Sequence, residues 1–128
     1  MSENRKKITY STREFFVKGM RGHSAVDEIT LVNGDIYLIK RTEGRPELKI
    51  LIADIYIAGE ADILEITEEH SDLDCIVLVG FYNRYSSYAK DLAMSRDIGL
   101  FDNREFFGAI HRSGSAFLNY VKKEKYEN

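Results

Sequence analysis

The chain is poor in cysteine, proline and tryptophan, with one, one and none in 128 residues. A lone thiol cannot build an internal disulfide framework. Cys75, just ahead of the apolar run "IVLVG", is expected to be a buried thiol in a reducing, cytoplasmic setting. A single proline leaves room for long regular elements. No apolar run approaches the ~20 residues of a transmembrane helix. The basic start "MSENRKK" is not followed by the apolar segment of a secretory signal, so membrane targeting is not expected. Strong positive charge is also missing. The formal net charge is −3 and the isoelectric point about 5.6, unlike proteins that hold nucleic acid by bulk electrostatics.

What is present is a globular composition, 44% hydrophobic and 30% charged, which rules out a disordered chain. The length suits one domain, 1–128, with its own core. Charge is unevenly spread. Every charged residue between Ile50 and Cys75 is acidic: Asp54, Glu60, Asp62, Glu65, Glu68, Glu69, Asp72 and Asp74. Basic clusters stand near the ends, at Arg5, Lys6 and Lys7 and at Lys122, Lys123 and Lys125.

The hydrophobic pattern predicts a helix over 10–20, capped by Ser11 or Thr12, with Phe15, Phe16 and Met20 inward. A strand over 25–32 follows. Asn33-Gly34 in "VNGD" predicts a two-residue hairpin turn, since both central positions take positive φ. Asp35–Thr42 forms the second strand, "EGRP" the next turn, and Glu47–Ile57 a third strand. An acidic helix over 58–70 is expected to turn Ala61, Leu64 and Ile57 inward. "CIVLVGF" reads as a strand buried on both faces. "SSYAKDLAMSRD" is a serine-capped helix with Ala89, Leu92 and Ala93 inside, and "GLFD" a short strand. Asp102 and Glu105 fit a capping box for a helix through Ile110. Ser115 would cap a last helix, 115–125, with Phe117, Leu118 and Val121 inward. The expected fold is α/β: one domain with a mixed sheet, an antiparallel three-strand meander followed by α-β-α-β, and helices on both faces.

If "EGRP" closes its hairpin with Thr42 opposite Glu47, then Asp35 faces Asp54. Opposed side chains stand roughly 4.5–5.5 Å apart at Cβ, and two carboxylates that close ask for a cation between them. Tyr56 projects from the same face. Asp35 and Asp54 are thus candidate ligands for Mg²⁺, which needs only one or two carboxylates beside water and phosphate. In the other reading, Asp35 and Asp54 only mark a turn and a wet strand end.

The element order over roughly 11–110 resembles the restriction-endonuclease-like, PD-(D/E)xK, superfamily, nearest to Mrr-type endonucleases and archaeal Holliday-junction resolvases. "IVLVGFYNRYSSYAKDLAMSRDIGLFDNREFFGAI" is similar to the Mrr-type C-terminal half, with its "AK.LA" helix and short following strand. The resemblance implies a helix glutamate at Glu14 in "TREFF", a strand aspartate at Asp35, a second acid at Asp54, and Tyr56 where the family has lysine. Tyrosine donates a hydrogen bond but brings no positive charge. A literal E-x-K, Glu47-Leu48-Lys49, falls at the far end of the third strand from Asp35. The resemblance further implies Mg²⁺ as cofactor, DNA as partner and a tendency to act as a homodimer.

Tyr82, Arg84 and Tyr85 in "GFYNRYSSY" sit between a buried strand and a helix start, where α/β folds place ligand contacts. They could stack on bases or hold phosphate. His23, His70 and His111 lack zinc-ligand spacing, and Asp72 and Asp74 read as a wet loop. The expected function is therefore a nucleic-acid-associated protein on a nuclease scaffold with weakened or lost catalysis. The alternatives are an active Mg²⁺-dependent DNA endonuclease or junction resolvase, and a homodimerisation module.

Overall fold

The computed structural model describes residues 4–121. In chain order the elements are β1 (Arg5–Lys6), α1 (Tyr10–Arg21), β2 (Val26–Asn33), β3 (Ile36–Arg41), β4 (Leu48–Ile55), β5 (Ile57–Ala58), α2 (Glu60–Glu69), β6 (Cys75–Leu78), β7 (Arg84–Tyr85), α3 (Ser87–Ser95), β8 (Gly99–Asp102), α4 (Asn103–Ala109) and α5 (Gly114–Leu118). The main sheet runs β2-β3-β4-β6-β8, with β1 added against the end of β4. The meander β2-β3-β4 is antiparallel, whereas β4, β6 and β8 are parallel. The chain is therefore an α/β domain with a mixed sheet, as the alternation of short apolar runs and capped helices predicts.

Strand β4 is central. Leu48, Ile50, Leu51, Ile52, Ala53 and Ile55 are all buried, so both of its faces are covered. On one side Ile50, Ile52, Cys75, Val77 and Phe101 pack with Phe16 and Met20 of α1, Phe106 of α4 and Phe117 of α5. On the other, Leu51, Ala53, Ile55, Ile76, Leu78 and Leu100 meet Ile63 and Ile66 of α2 and Ala89 and Ala93 of α3. Each such side chain taken fully out of water contributes about 1.5–3 kcal/mol, and the two layers together clamp the sheet.

Three helices differ from expectation in which side faces in. In α1 the buried stripe is Phe16, Val17 and Met20, while Phe15 is 69% exposed. Thr9, not Ser11 or Thr12, is the N-cap. In α2 the inward residues are Asp62, Ile63, Ile66 and Thr67, and Leu64, Ile57 and Ala61 face water. Asp62 sets that rotation: its carboxylate accepts the Gly59 amide at 2.9 Å, which fixes the first turn against the sheet. The last helix is short: Ser113, not Ser115, holds its N-cap position, with no side-chain hydrogen bond, and Val121 is exposed; the expected continuation through Lys122, Lys123 and Lys125 lies outside the described residues. The Asp102–Glu105 capping box and the Ser86 cap of α3 form as their sequences indicate.

The hairpins set the register. The first turn is centred on Gly34 and Asp35, not on Asn33 and Gly34, because Asn33 already pairs with Ile36 past an irregularity in β2. The second is a two-residue turn. Glu43 and Gly44 both hold positive φ, 59° and 71°, and the Arg45 amide donates to Thr42 O at 3.3 Å. This turn is two residues tighter than one closing Thr42 on Glu47. Tyr37 therefore faces Ile50 and Ile39 faces Leu48, a shift of two from the expected alignment.

Beyond that turn Pro46 has no amide to give the ladder. Arg41 compensates. Its Nε donates to Pro46 O at 2.7 Å and its Nη1 to Ile110 O at 3.0 Å and Arg112 O at 2.7 Å. The guanidinium, 5.9 Å from the Phe117 ring centroid, ties the meander to the C-terminal end of α4, where helix carbonyls concentrate negative potential. Replacing Arg41 by Lys keeps the charge but loses the fork that reaches three carbonyls. Urea unfolding of Arg41→Lys should show a loss of about 2–4 kcal/mol. A loss below about 0.5 kcal/mol would show that these carbonyls find water instead.

Candidate functional site

The two-residue shift decides where the acids fall. The Ile52 amide donates to Asp35 O at 3.0 Å, so Asp35 stands opposite Ile52, while Asp54 stands opposite Lys6 of β1. A two-residue offset preserves the face but separates the two positions by about 6–7 Å along the strand. Each carboxylate also has its own partner. Asp35 forms an ion pair with Arg13, and Arg13 donates as well to the Tyr37 hydroxyl at 3.0 Å and to Gly34 O at 3.3 Å. Those bonds to Tyr37 and Asp35 hold the guanidinium's pKa above its usual value. Asp54 accepts from Asn83 Nδ2 at 3.1 Å.

Arg13, not Glu14, reaches Asp35 because it continues the inward stripe of Phe16, Val17 and Met20 at helical spacing. Glu14 is exposed to solvent. The expected cluster of Glu14, Asp35, Asp54 and Tyr56 is therefore not assembled. Among the described residues no group of three or more His, Cys, Asp or Glu side chains is placed to hold a metal ion. The Asp35–Arg13 pair already brings a positive charge to that carboxylate, and the register sets Asp54 two residues along, so the facing pair expected to share Mg²⁺ is not formed. Tyr56 is exposed, with the Arg84 guanidinium 5.4 Å from its ring centroid. Glu47-Leu48-Lys49 serves the sheet: Lys49 pairs with Asp72 and gives its amide to Asp74 Oδ2 at 2.7 Å.

A different constellation lies past the carboxyl ends of β4 and β6. Gly80, Phe81, Tyr82 and Asn83 form a turn closed by the Asn83 amide on Gly80 O at 3.2 Å. The Asn83 side chain knots it. Oδ1 accepts the Gly80 amide at 2.9 Å and the Ile55 amide at 3.0 Å, and Nδ2 reaches Asp54. Gly80 has to be glycine: a Cβ there would stand 2.3 Å from Asn83 Nδ2 and 2.5 Å from Asp54 Oδ1. The knot holds out two aromatic side chains, Phe81 at 97% and Tyr82 at 79% exposure, their ring centroids 5.8 Å apart.

Tyr85, grouped with Tyr82 and Arg84 by sequence, does different work. Its hydroxyl donates to Glu105, 2.9 Å from each carboxylate oxygen, and burial with the Glu105 charge pushes its pKa up. Beside it Lys90 is buried. Its Nζ donates to Leu100 O at 2.7 Å and Tyr120 O at 3.1 Å and stands 4.3 Å from the Phe101 ring centroid. Burial lowers the Lys90 pKa to about 8. Tyr85 is thus a strut under the site and not a surface for bases.

Next to the Gly80–Asn83 turn opens a groove of about 690 Å³, lined by Phe15 of α1, Val79 and Phe81 after β6, and Asn103, Arg104 and Phe107 of α4. None of these six was singled out for binding from the sequence. The signal available was Phe15, whose place one step off the Phe16–Val17–Met20 stripe leaves it outside the core. Comparison with protein-family models, with curated proteins and with solved structures finds no match to this chain.

Replacing Asn83 by Ala would strand two backbone amides and release Asp54. Asn83→Ala should lose about 2–3 kcal/mol of stability, against less than about 1 kcal/mol for Asp35→Ala, whose ion pair is partly exposed. Chemical denaturation of the two variants side by side checks the order; a reversal would remove Asn83 as the organiser of the turn.

Proposed function

We propose that this chain is a nucleic-acid-binding module that does not hydrolyse phosphodiesters through a metal held by Asp35 and Asp54. The observation that carries the reading is the Asn83-knotted turn, which sets Phe81 and Tyr82 out in solvent beside the Arg84–Tyr56 stack. Large exposed apolar side chains on a pinned turn cost solubility without repaying it in packing, and such patches mark interaction surfaces. Unstacked bases suit them, since each base has a face to lay on an aromatic ring and Arg84 can meet the backbone phosphate.

Charge placement supports the reading despite the acidic total. The acidic helix α2 packs on the sheet face opposite the groove. Part of its charge is met by Arg5, whose guanidinium is 2.8 Å from Glu69 and 3.9 Å from Glu65. The groove itself is lined by Arg104 and, among the described residues, by no acidic one. Among the described residues no helix is long and apolar enough to cross a membrane, so the exposed aromatics are not part of a spanning helix.

The test is fluorescence anisotropy with a labelled single strand of about 15 nucleotides at low and moderate salt. Binding should weaken as salt rises. Tyr82→Ala and Arg84→Ala should each weaken it by about 5- to 150-fold, matching the ~1–3 kcal/mol of one stacked base, and the strand should stay intact with Mg²⁺ present. Absence of binding at low salt, or full binding by both variants, would sink the reading. Cleavage that requires Mg²⁺ and is lost in Asp54→Asn would favour an active nuclease instead.

A further inference from the structure

We infer that the groove beside the Gly80–Asn83 turn receives one unstacked nucleotide, a flat base joined to a phosphate. The inference rests on the nucleic-acid reading above and names the ligand unit of that site. At about 690 Å³ the groove falls within the ~300–1,000 Å³ of small-molecule sites. It lies past the carboxyl ends of the parallel strands β6 and β8, where open α/β sheets hold their ligands.

The walls select a flat apolar body. Phe15, Phe81 and Phe107 supply ring faces and edges, and Val79 stands with them. Phe107 comes close to α1 because Gly19 has no side chain: a Cβ there would stand 2.8 Å from Phe107 Cζ. Any larger residue at 19 would drive that ring from its place in the groove wall.

The polar groups select what the flat body must carry. Asn103 lines the groove, and its Oδ1 is shielded from water yet has no hydrogen-bond partner among the described residues. A shielded oxygen without a donor is a standing cost that a new donor would remove. Binding requires the carboxamide to turn toward the groove, where it offers Oδ1 as acceptor and Nδ2 as donor. An acceptor next to a donor matches the exocyclic amino group and adjacent ring nitrogen of adenine. The exposed Arg104 lines the same groove, across from Ser11 and Thr12 of α1; a guanidinium there recognises phosphate oxygens. A nucleotide combines such a ring system with a phosphate.

Calorimetric titration of the full chain with AMP, adenosine and inorganic phosphate tests this, together with the labelled single strand. AMP should bind more tightly than adenosine. Phe15→Ala and Asn103→Leu should each weaken AMP by about 10-fold or more. Arg104→Gln should bring AMP down to the affinity of adenosine and leave adenosine unchanged. All three positions are at the surface of the groove, so circular dichroism of the variants should match the parent. No binding of AMP at millimolar concentration, or equal binding by Phe15→Ala and Asn103→Leu, would overturn the inference. Strand binding that depends on Tyr82 without any AMP binding would remove the groove and leave the module. AMP binding that depends on Phe15 and Asn103, without strand binding, would do the reverse.

Discussion

Two left-handed residues, Glu43 and Gly44, hold the second hairpin to a two-residue turn, and the placement of every candidate site residue on the meander follows from it. The turn fixes β3 against β4 with no freedom to slide, because a slip of one residue would carry the buried set of each strand to the wrong face. Arg41 locks the arrangement by satisfying the Pro46, Ile110 and Arg112 carbonyls together. From that alignment Asp35 falls opposite Ile52, and Asp54 is left to the Asn83 knot. One local backbone choice thus exchanges a pair of facing carboxylates for an ion pair at one end of β3 and a hydrogen-bonded turn beyond β4.

The architecture was legible in the sequence because it is written in period. The continuous apolar run at Cys75–Leu78, the Ser86 cap and the Asp102–Glu105 box are local signals with local causes, and each formed. The site was less legible because it depends on register and on helix rotation. "EGRP" contains both a tight turn, with Glu43 in the left-handed region, and a wider one, and β-turn chemistry alone favours Gly far more than Glu at such a position. Helix α1 offers two adjacent phenylalanines, so its inward stripe could be drawn one residue off. That rotation, about 100°, replaces Arg13 by Glu14 at the meander and reverses the sign of the charge delivered there. Helix α2 misled in the same manner, since its buried stripe includes Asp62, a capping acid that hydropathy places outside.

The charge map also changes meaning once folded. Read along the chain, the acidic block from Asp54 to Asp74 argues against polyanion binding. In the fold these residues divide. Helix α2 carries most of them on one face of the sheet, Asp72 and Asp74 serve the start of β6 through Lys49, and Asp54 is tied to Asn83. Net charge is a property of the whole molecule, whereas encounter with a partner is governed by the local field within about a Debye length, ~8–10 Å.

The lone thiol has a use of its own. Cys75 lies in β6 between β4 and β8, fully shielded, and burial pushes its pKa well up. Neither an oxidant nor an alkylating reagent meets a thiolate there while the strands stay paired. Reaction at this sulfur therefore counts the rare openings of the whole sheet and ignores fraying at the edges and loops. The chain carries a built-in clock for its own global unfolding.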